Sequence, residues 1–248
     1  MQKSKRFWEI DFLRGVAIVF MLISNLVTDI SYFGIYGINT FSGFWTVLAR
    51  VTVSMFILLS GISLTLSYSR AKSMKRWEIH KKYLFRGARI FSLGMIITLM
   101  TWVFIPSDFV FFGVLHLIGT SIIIGHLFAK YRVLNLLLGM VIIVAGAFLQ
   151  TIVFGFSWLA WMGFMPQGLS SVDYVPLLPW LGVFLVGMFM GSALYPEGKR
   201  KLPDLSGNRM LAPIRFLGRN SLTIYMVHQP VLILALWLLF PFPYQLPF

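Results

Sequence analysis

The sequence predicts an all-α, polytopic membrane helix bundle with about seven transmembrane helices, its N-terminus cytoplasmic and its C-terminus outside. Three observations carry this prediction. Hydrophobic types make up 58% of the 248 residues and charged types only 12%, about half the charge share of a soluble domain. Seven apolar stretches approach or exceed the ~20 residues that a bilayer crossing needs. Of the 21 Lys and Arg residues, 20 fall in connections that alternate to one side, as the positive-inside rule requires. A soluble globular enzyme, a disordered chain, a collagen and a coiled coil are excluded by the same composition. With no Cys, disulfides, thiol catalysis and Cys-ligated metal sites are excluded as well.

The spans are expected near residues 12–28, 44–67, 88–105, 109–128, 133–154, 176–195 and 214–240. The first is read as a retained helix, not a cleaved signal peptide. Arg14 interrupts it, Asn25 and Asp29 follow, and no small-residue cleavage pattern is present. Lys3, Lys5, Arg6 and Arg14 mark its cytoplasmic end. The second connection carries Arg70, Lys72, Lys75, Arg76, Lys81, Lys82, Arg86 and Arg89. Lys130 and Arg132 mark the fourth; Lys199, Arg200, Lys201, Arg209, Arg215 and Arg219 mark the sixth. Only Arg50 lies toward the outer face. The net charge of +13 is thus a topology signal, and nucleic acid is not an expected partner. Pro106-Ser107-Asp108 makes an outer turn, and residues 155–175 form a longer outer loop containing Asp173. The core helices run over about 12–195. Residues 196–213 form a polar cytoplasmic loop, a hinge before the last helix at about 214–240, which Pro230 should kink.

Ionisable groups inside a bilayer cost about 2.5–3.5 kcal/mol each, so they persist where they pair, face the bundle interior or serve a pathway. On a helical wheel Asp11, Arg14, Asn25 and Asp29 fall within a sector of roughly 60°, although Ile18 and Met21 interrupt the stripe. Two readings stand: an internal salt bridge with packing polar groups, or the wall of a polar path.

His116 lies in the run from Phe112 to Thr120. If its helix starts at the outer face near Phe109, His116 sits about 10 Å below that face. Gly113 and Gly119 would allow close approach of a helix or a ligand. A neutral imidazole there can act as general base or bond across helices as a structural group. Asp29, Arg50, Asp108 and Asp173 fall toward the same outer side. Asp29 or Asp108 could orient the imidazole, and Arg50 could pair an outer Asp or stabilise an oxyanion. In the last span Ser221, Tyr225 and His228 share one face, and Arg219 and Thr223 the other. His228 fits a structural or a functional role equally. His80 is read as a solvated surface residue, and His126 is ambiguous. Four scattered His residues make no metal site.

The stretch from Arg70 to Arg89 interleaves cations with Trp77, Tyr83 and Phe85. It suits anionic lipid head groups, or a phosphorylated cofactor whose base lies on an aromatic ring. No Walker or Rossmann glycine fingerprint is present.

Residues Arg6 through Gly15 resemble the opening of the heparan-α-glucosaminide N-acetyltransferase-like family, within the wider transmembrane acyltransferase superfamily. Leu59 through Ser63, Phe112 through Gly119, Pro176 through Gly182 and Leu217 through Pro230 resemble that family too. The chain is similar to a compact prokaryotic member without the luminal domain of the animal enzyme. The resemblance implies a single acyltransferase-like domain over 1–248, multi-pass in the cell membrane. It implies an acyl-CoA-dependent O- or N-acyltransferase. Acetyl-CoA or a similar acyl-CoA is the co-substrate, and a sugar or glycolipid amine or hydroxyl at the outer face the acceptor; the scattered His residues add no metal to this expectation. Relatives of this type suggest a homodimer among membrane lipids. In the broader superfamily an Arg is followed eleven positions later by a His; here Arg14 is followed at that spacing by Asn25. The animal enzyme resembles this chain there, with its proposed catalytic His farther along the outer loop. This sequence has no His between Asn25 and His80, and His116 becomes the candidate base.

The expected catalytic set is therefore His116, Asn25, Asp29 and Arg14. The acyl-CoA set is Asp11, Arg70, Lys75, Arg76, Arg86, Arg89, Arg215, Arg219 and Asn220. The acceptor set is Arg50, Asp108, Asp173 and His228. The pantetheine arm enters beside Arg14 and Asn25, His116 deprotonates the acceptor or takes the acyl group, and Asn25 donates to the thioester oxygen. The alternative function is a carrier or flippase for a lipid-linked or acidic solute, which needs the same stripe and kinked helix.

Overall fold

The computed structural model describes residues 7–40, 42–198 and 208–240. Among them the chain is helical, with isolated bridges and no strand. Six helices are long and apolar enough to cross a membrane: α1 (Trp8–Tyr32), α2 (Gly43–Ala71), α3 (Arg76–Phe104), α5 (Arg132–Leu149), α6 (Leu177–Leu194) and α8 (Ser221–Leu239). A shorter apolar helix, α4 (Val114–Gly125), continues as a 3₁₀ turn to Phe128. Six long helices and a short one match the expected polytopic bundle. The amphipathic α7 (Ala212–Arg219) completes the set.

The chain divides into two compact units. In the first, α1 packs against α7 and α8. The crossing of α1 and α7 is made by backbone. A methyl group on Gly218 would collide with the Asp11 carbonyl oxygen, and one on Gly15 with the Ile214 carbonyl oxygen. In lipid no hydrophobic drive holds helices together, so close backbone packing has to.

The second unit holds α3 to α6 and the part of α2 from Ile57 onward. Here α3 meets α4 through Gly87 and Gly119. A Cβ on either would lie 2.6 or 2.8 Å from the other's carbonyl oxygen. Gly139 and Gly182 join α5 to α6 in the same way, and Gly61 and Gly187 join α2 to α6.

Three boundaries differ from the sequence reading. α3 starts at Arg76, twelve residues before the expected 88, because the basic stretch contains no helix breaker and Glu78 Oε2 accepts the Lys75 N–H at 3.2 Å. The helix runs out of the oily layer with its charges attached. α4 starts at Val114 and not near Phe109. Residues 109–113 are extended because their backbone is bonded elsewhere. Val110 receives a bond from Thr98 Oγ1 and donates one to Thr101 Oγ1 (2.7 and 3.0 Å). The Phe112 carbonyl takes the Val175 N–H at 2.8 Å. The last helix is not one element. It breaks at Asn220 (φ −103°, ψ 16°), dividing α7 from α8, while Pro230 stays inside α8. Of the expected cytoplasmic loop 196–213, residues 199–207 lie outside the described residues, as do Lys3, Lys5 and Arg6.

Overpacking a tight contact typically costs about 1–3 kcal/mol. Gly218→Ala should therefore lower the thermal stability of the detergent-solubilised protein by at least that much. Gly155→Ala, where a Cβ meets nothing within 4 Å, should leave it unchanged in the same melting experiment.

Candidate functional site

In the first unit the polar stripe of α1 is answered from the C-terminal helices. Asp11 is buried and takes a bond from Arg219 Nε at 3.2 Å, while the Arg219 side chain stays half exposed. Arg215, also buried, donates from Nη2 to the Asn208 carbonyl at 3.0 Å. Asn220 closes the end of α7, its side chain donating to the Phe216 carbonyl at 2.9 Å. Asp11, Arg215, Arg219 and Asn220, expected among the acyl-CoA ligands, thus build the joint between α1, α7 and α8. Arg14 is half-buried between the two acids. Asn25 spends one amide hydrogen on the Met21 carbonyl at 2.9 Å and keeps the other. Arg50 is exposed on α2.

Toward the other end of α1, Asp29 is 7% exposed. Gln229 Nε2 of α8 donates to its Oδ1 at 2.6 Å. Asp29 Oδ2 and Gln229 Oε1 are both buried and have no hydrogen-bond partner in the structure. Each is bonded to the same carbon as an atom of that 2.6 Å contact, so the two vacant acceptors lie a few ångströms apart. One residue earlier, His228 Nδ1 lies 2.7 Å from the Tyr225 carbonyl.

His116 sits in the second unit, in the first turn of α4, so the expected depth of about 10 Å below a helix start near Phe109 does not hold. It is 2% exposed. Phe91 meets its ring edge-on at 5.1 Å, and Phe112 stacks on it at 5.4 Å. The backbone N–H of Gly113 donates to Nδ1 at 3.2 Å. Thr98 Oγ1 lies 3.4 Å from Nε2 and gives its one proton to the Val110 carbonyl. The threonine can only accept from the ring, so Nε2 carries the proton and Nδ1 is the occupied acceptor. Both nitrogens hold the extended segment against α3 and α4. The partners expected to orient this ring were carboxylates; a backbone amide and a hydroxyl take their place.

Two acids of this unit, Asp108 and Asp173, hold loops. Asp173 Oδ2 accepts the Val114 N–H at 3.2 Å, at the helix end where a negative charge is favoured. Asp108 accepts from Ser107 Oγ at 2.9 Å and from Ser170 Oγ. These hydrogen bonds, Ser170's foremost, hold its carboxyl below the usual carboxylate range. Tyr174 donates to the Ala160 carbonyl at 2.7 Å, and burial pushes its phenol up to about 12.

In the first turns of α3, Lys82, Arg86 and Arg89 share one face by their i, i+4, i+7 spacing. Arg70, Lys75 and Arg76 lie exposed nearby in sequence, and Trp77 and Phe85 are 74% and 65% exposed. His80 is not the solvated residue expected. Its Nδ1 lies 2.9 Å from His126 Nε2, and His126 stacks on the buried Tyr83 at 5.7 Å. Sequence reasoning missed this pair, since 46 positions separate its members. It also missed Gln229 and Thr98. A buried Asp29 needing a donor was the one signal that pointed to Gln229. Among the described residues, no group of three or more His, Cys, Asp or Glu is placed to hold a metal ion.

A family profile described as heparan-alpha-glucosaminide N-acetyltransferase, catalytic, matches residues 6–230. The chain belongs to this family. The matched stretch runs from just before α1 through Pro230 in α8, and so contains every candidate site residue named above. The heparan-alpha-glucosaminide N-acetyltransferase catalytic family is a family of membrane acetyltransferases, and the apolar helices of this member agree with a membrane protein. No curated protein and no solved structure matches the chain.

Two measurements test the second unit. Thr98→Val strands the Val110 carbonyl and the His116 Nε2 proton, which should cost about 1–3 kcal/mol of unfolding free energy. Ser170→Ala removes the main bond that favours ionised Asp108, so the Asp108 titration, followed by NMR, should move up toward the ordinary carboxylate range. In the parent protein that bond contributes at pH values above the ordinary range and is lost as pH falls through the depressed one.

Proposed function

We propose that this protein moves an acetyl or similar acyl group from acyl-CoA on the cytoplasmic side to an amine or hydroxyl at the outer face of the cell membrane. The acceptor is a sugar or a glycolipid. Family membership supports the chemistry, and one observation carries the acceptor assignment: the buried pair Asp29–Gln229, with an unmet acceptor oxygen on each partner. A buried acceptor without a donor is costly. An amine or hydroxyl of the substrate supplies the missing donors and is held there for transfer.

The donor side draws on charge. Arg86, Arg89, Arg70, Lys75 and Arg76 provide cations for the phosphates, and Trp77 or Phe85 a surface for the adenine. Arg219 and Arg215 already serve the α1–α7 joint. Asn25, with one amide hydrogen to spare, polarises the thioester carbonyl, and Arg14 stands beside it in sequence order between the two acids. His116 holds the start of α4.

The second reading, a carrier, is favoured by the same Asp29, because a buried carboxylate in a span also suits a proton-coupled pathway. The two separate on chemistry. Detergent-purified protein given acetyl-CoA and glucosamine should release free CoA in step with acetylated sugar. Retention or transport of solute with no thioester cleavage would instead establish the carrier. Asp29→Asn removes a charge-assisted hydrogen bond worth about 1.5–3 kcal/mol. It should slow transfer roughly 10- to 100-fold while acetyl-CoA binding is retained.

A further inference from the structure

Two imidazoles, His116 in α4 and His228 in α8, have opposite hydrogen-bonding states at Nδ1. His116 receives a backbone N–H at Nδ1, so its lone pair is occupied. His228 faces a carbonyl: Nδ1 lies 2.7 Å from the Tyr225 oxygen one turn earlier. A carbonyl can only accept, so Nδ1 of His228 carries the proton. In the neutral ring the lone pair is then on Nε2.

His228 also stands in the right company. It precedes Gln229, whose amide grips Asp29 at 2.6 Å. Tyr225, whose carbonyl fixes the tautomer, packs its own ring 5.5 Å from the imidazole and 6.3 Å from Phe56. The position is set by helix geometry, since Tyr225 and His228 are one turn apart on α8. Pro230 lies two residues on and has no N–H for the Met226 carbonyl, which adds another acceptor to this turn. Two ionisable groups are tied to this turn: Asp29, reached from α1 through Gln229, and Tyr225 on α8 itself.

We infer that His228, and not His116, is the group that takes the proton from the acceptor. This rests on the acyl-transfer reading above and adds the identity of its base. The acceptor nitrogen or oxygen, held at Asp29 and Gln229, attacks the thioester carbonyl carbon. A C–N or C–O bond forms, and the C–S bond breaks with its electron pair leaving on sulfur. The acceptor's proton passes to Nε2 of His228 and then to the thiolate, which departs as free CoA. The Tyr225 carbonyl keeps Nδ1 protonated throughout.

The test uses full-length protein in detergent, with acetyl-CoA and glucosamine as probes. Two variants are compared with the parent: His228→Ala, and His228→Asn, whose amide can still donate to the Tyr225 carbonyl but has no basic nitrogen. Folding is checked by retained acetyl-CoA binding, so the Asn variant keeps the test valid if the Ala variant fails to fold. General-base removal is expected to lower kcat by 10²- to 10⁴-fold with KM for acetyl-CoA near the parent value. The rising limb of kcat/KM with pH should disappear, and added imidazole should restore part of the rate to the Ala variant. A parent enzyme that transfers acetyl, beside a folded Asn variant within threefold of its rate and with the same pH limb, would overturn His228 and leave acyl transfer standing. A parent enzyme that binds acetyl-CoA but never cleaves it would overturn the acyl-transfer reading itself.

Discussion

The helices of this protein are held by backbone touching backbone. Lipid tails are as apolar as leucine, so burying more leucine gains little between spans, and attraction has to come from contact and from polar bonds. At the α1–α7, α3–α4, α5–α6 and α2–α6 crossings a glycine on each helix opens the way for the partner's carbonyl. Each pair acts like two notches cut to the same depth. The consequence is directional: a helix so notched can meet its partner at one height only, which fixes the level of the polar groups above and below.

That constraint explains how α1 can afford four polar residues. With Gly15 and Gly218 in contact, Asp11 comes within reach of Arg219 on α7. Further along α1, Asp29 meets Gln229 on α8. The break at Asn220 lets one stretch of chain answer both ends, since a short amphipathic helix serves the first acid and a long apolar one the second. A single straight helix would have carried Arg219 and Gln229 on one axis.

Much of the fold was legible because hydropathy reports spans directly, and the stretches expected at 12–28, 44–67, 133–154 and 176–195 lie within five residues of α1, α2, α5 and α6 at either end. What hydropathy does not report is where a helix begins when charge or hydrogen bonding, and not oiliness, decides. Hence α3 extends through its basic turn, while residues 109–113 read as span but are extended, tied by Thr98, Thr101 and Val175. The candidate site divides similarly. Asp29 stood out, since an acid in an oily helix is conspicuous. Gln229 did not, because an amide beside a histidine carries no charge signal until its partner is known. His116 looked catalytic from its setting, but the direction of its hydrogen bonds depends on Gly113 and Thr98, and no spacing rule reports those. His80 and His126 looked unrelated because the contact that unites them spans the whole of α3 and α4.

That histidine contact limits the inner ends of these two helices. Two rings joined nitrogen to nitrogen at 2.9 Å have room for a single hydrogen between them. If both became cations, each would point a hydrogen at the other, and attraction would turn to repulsion. The clasp joining α3 to the end of α4 therefore exists only while at least one ring stays uncharged.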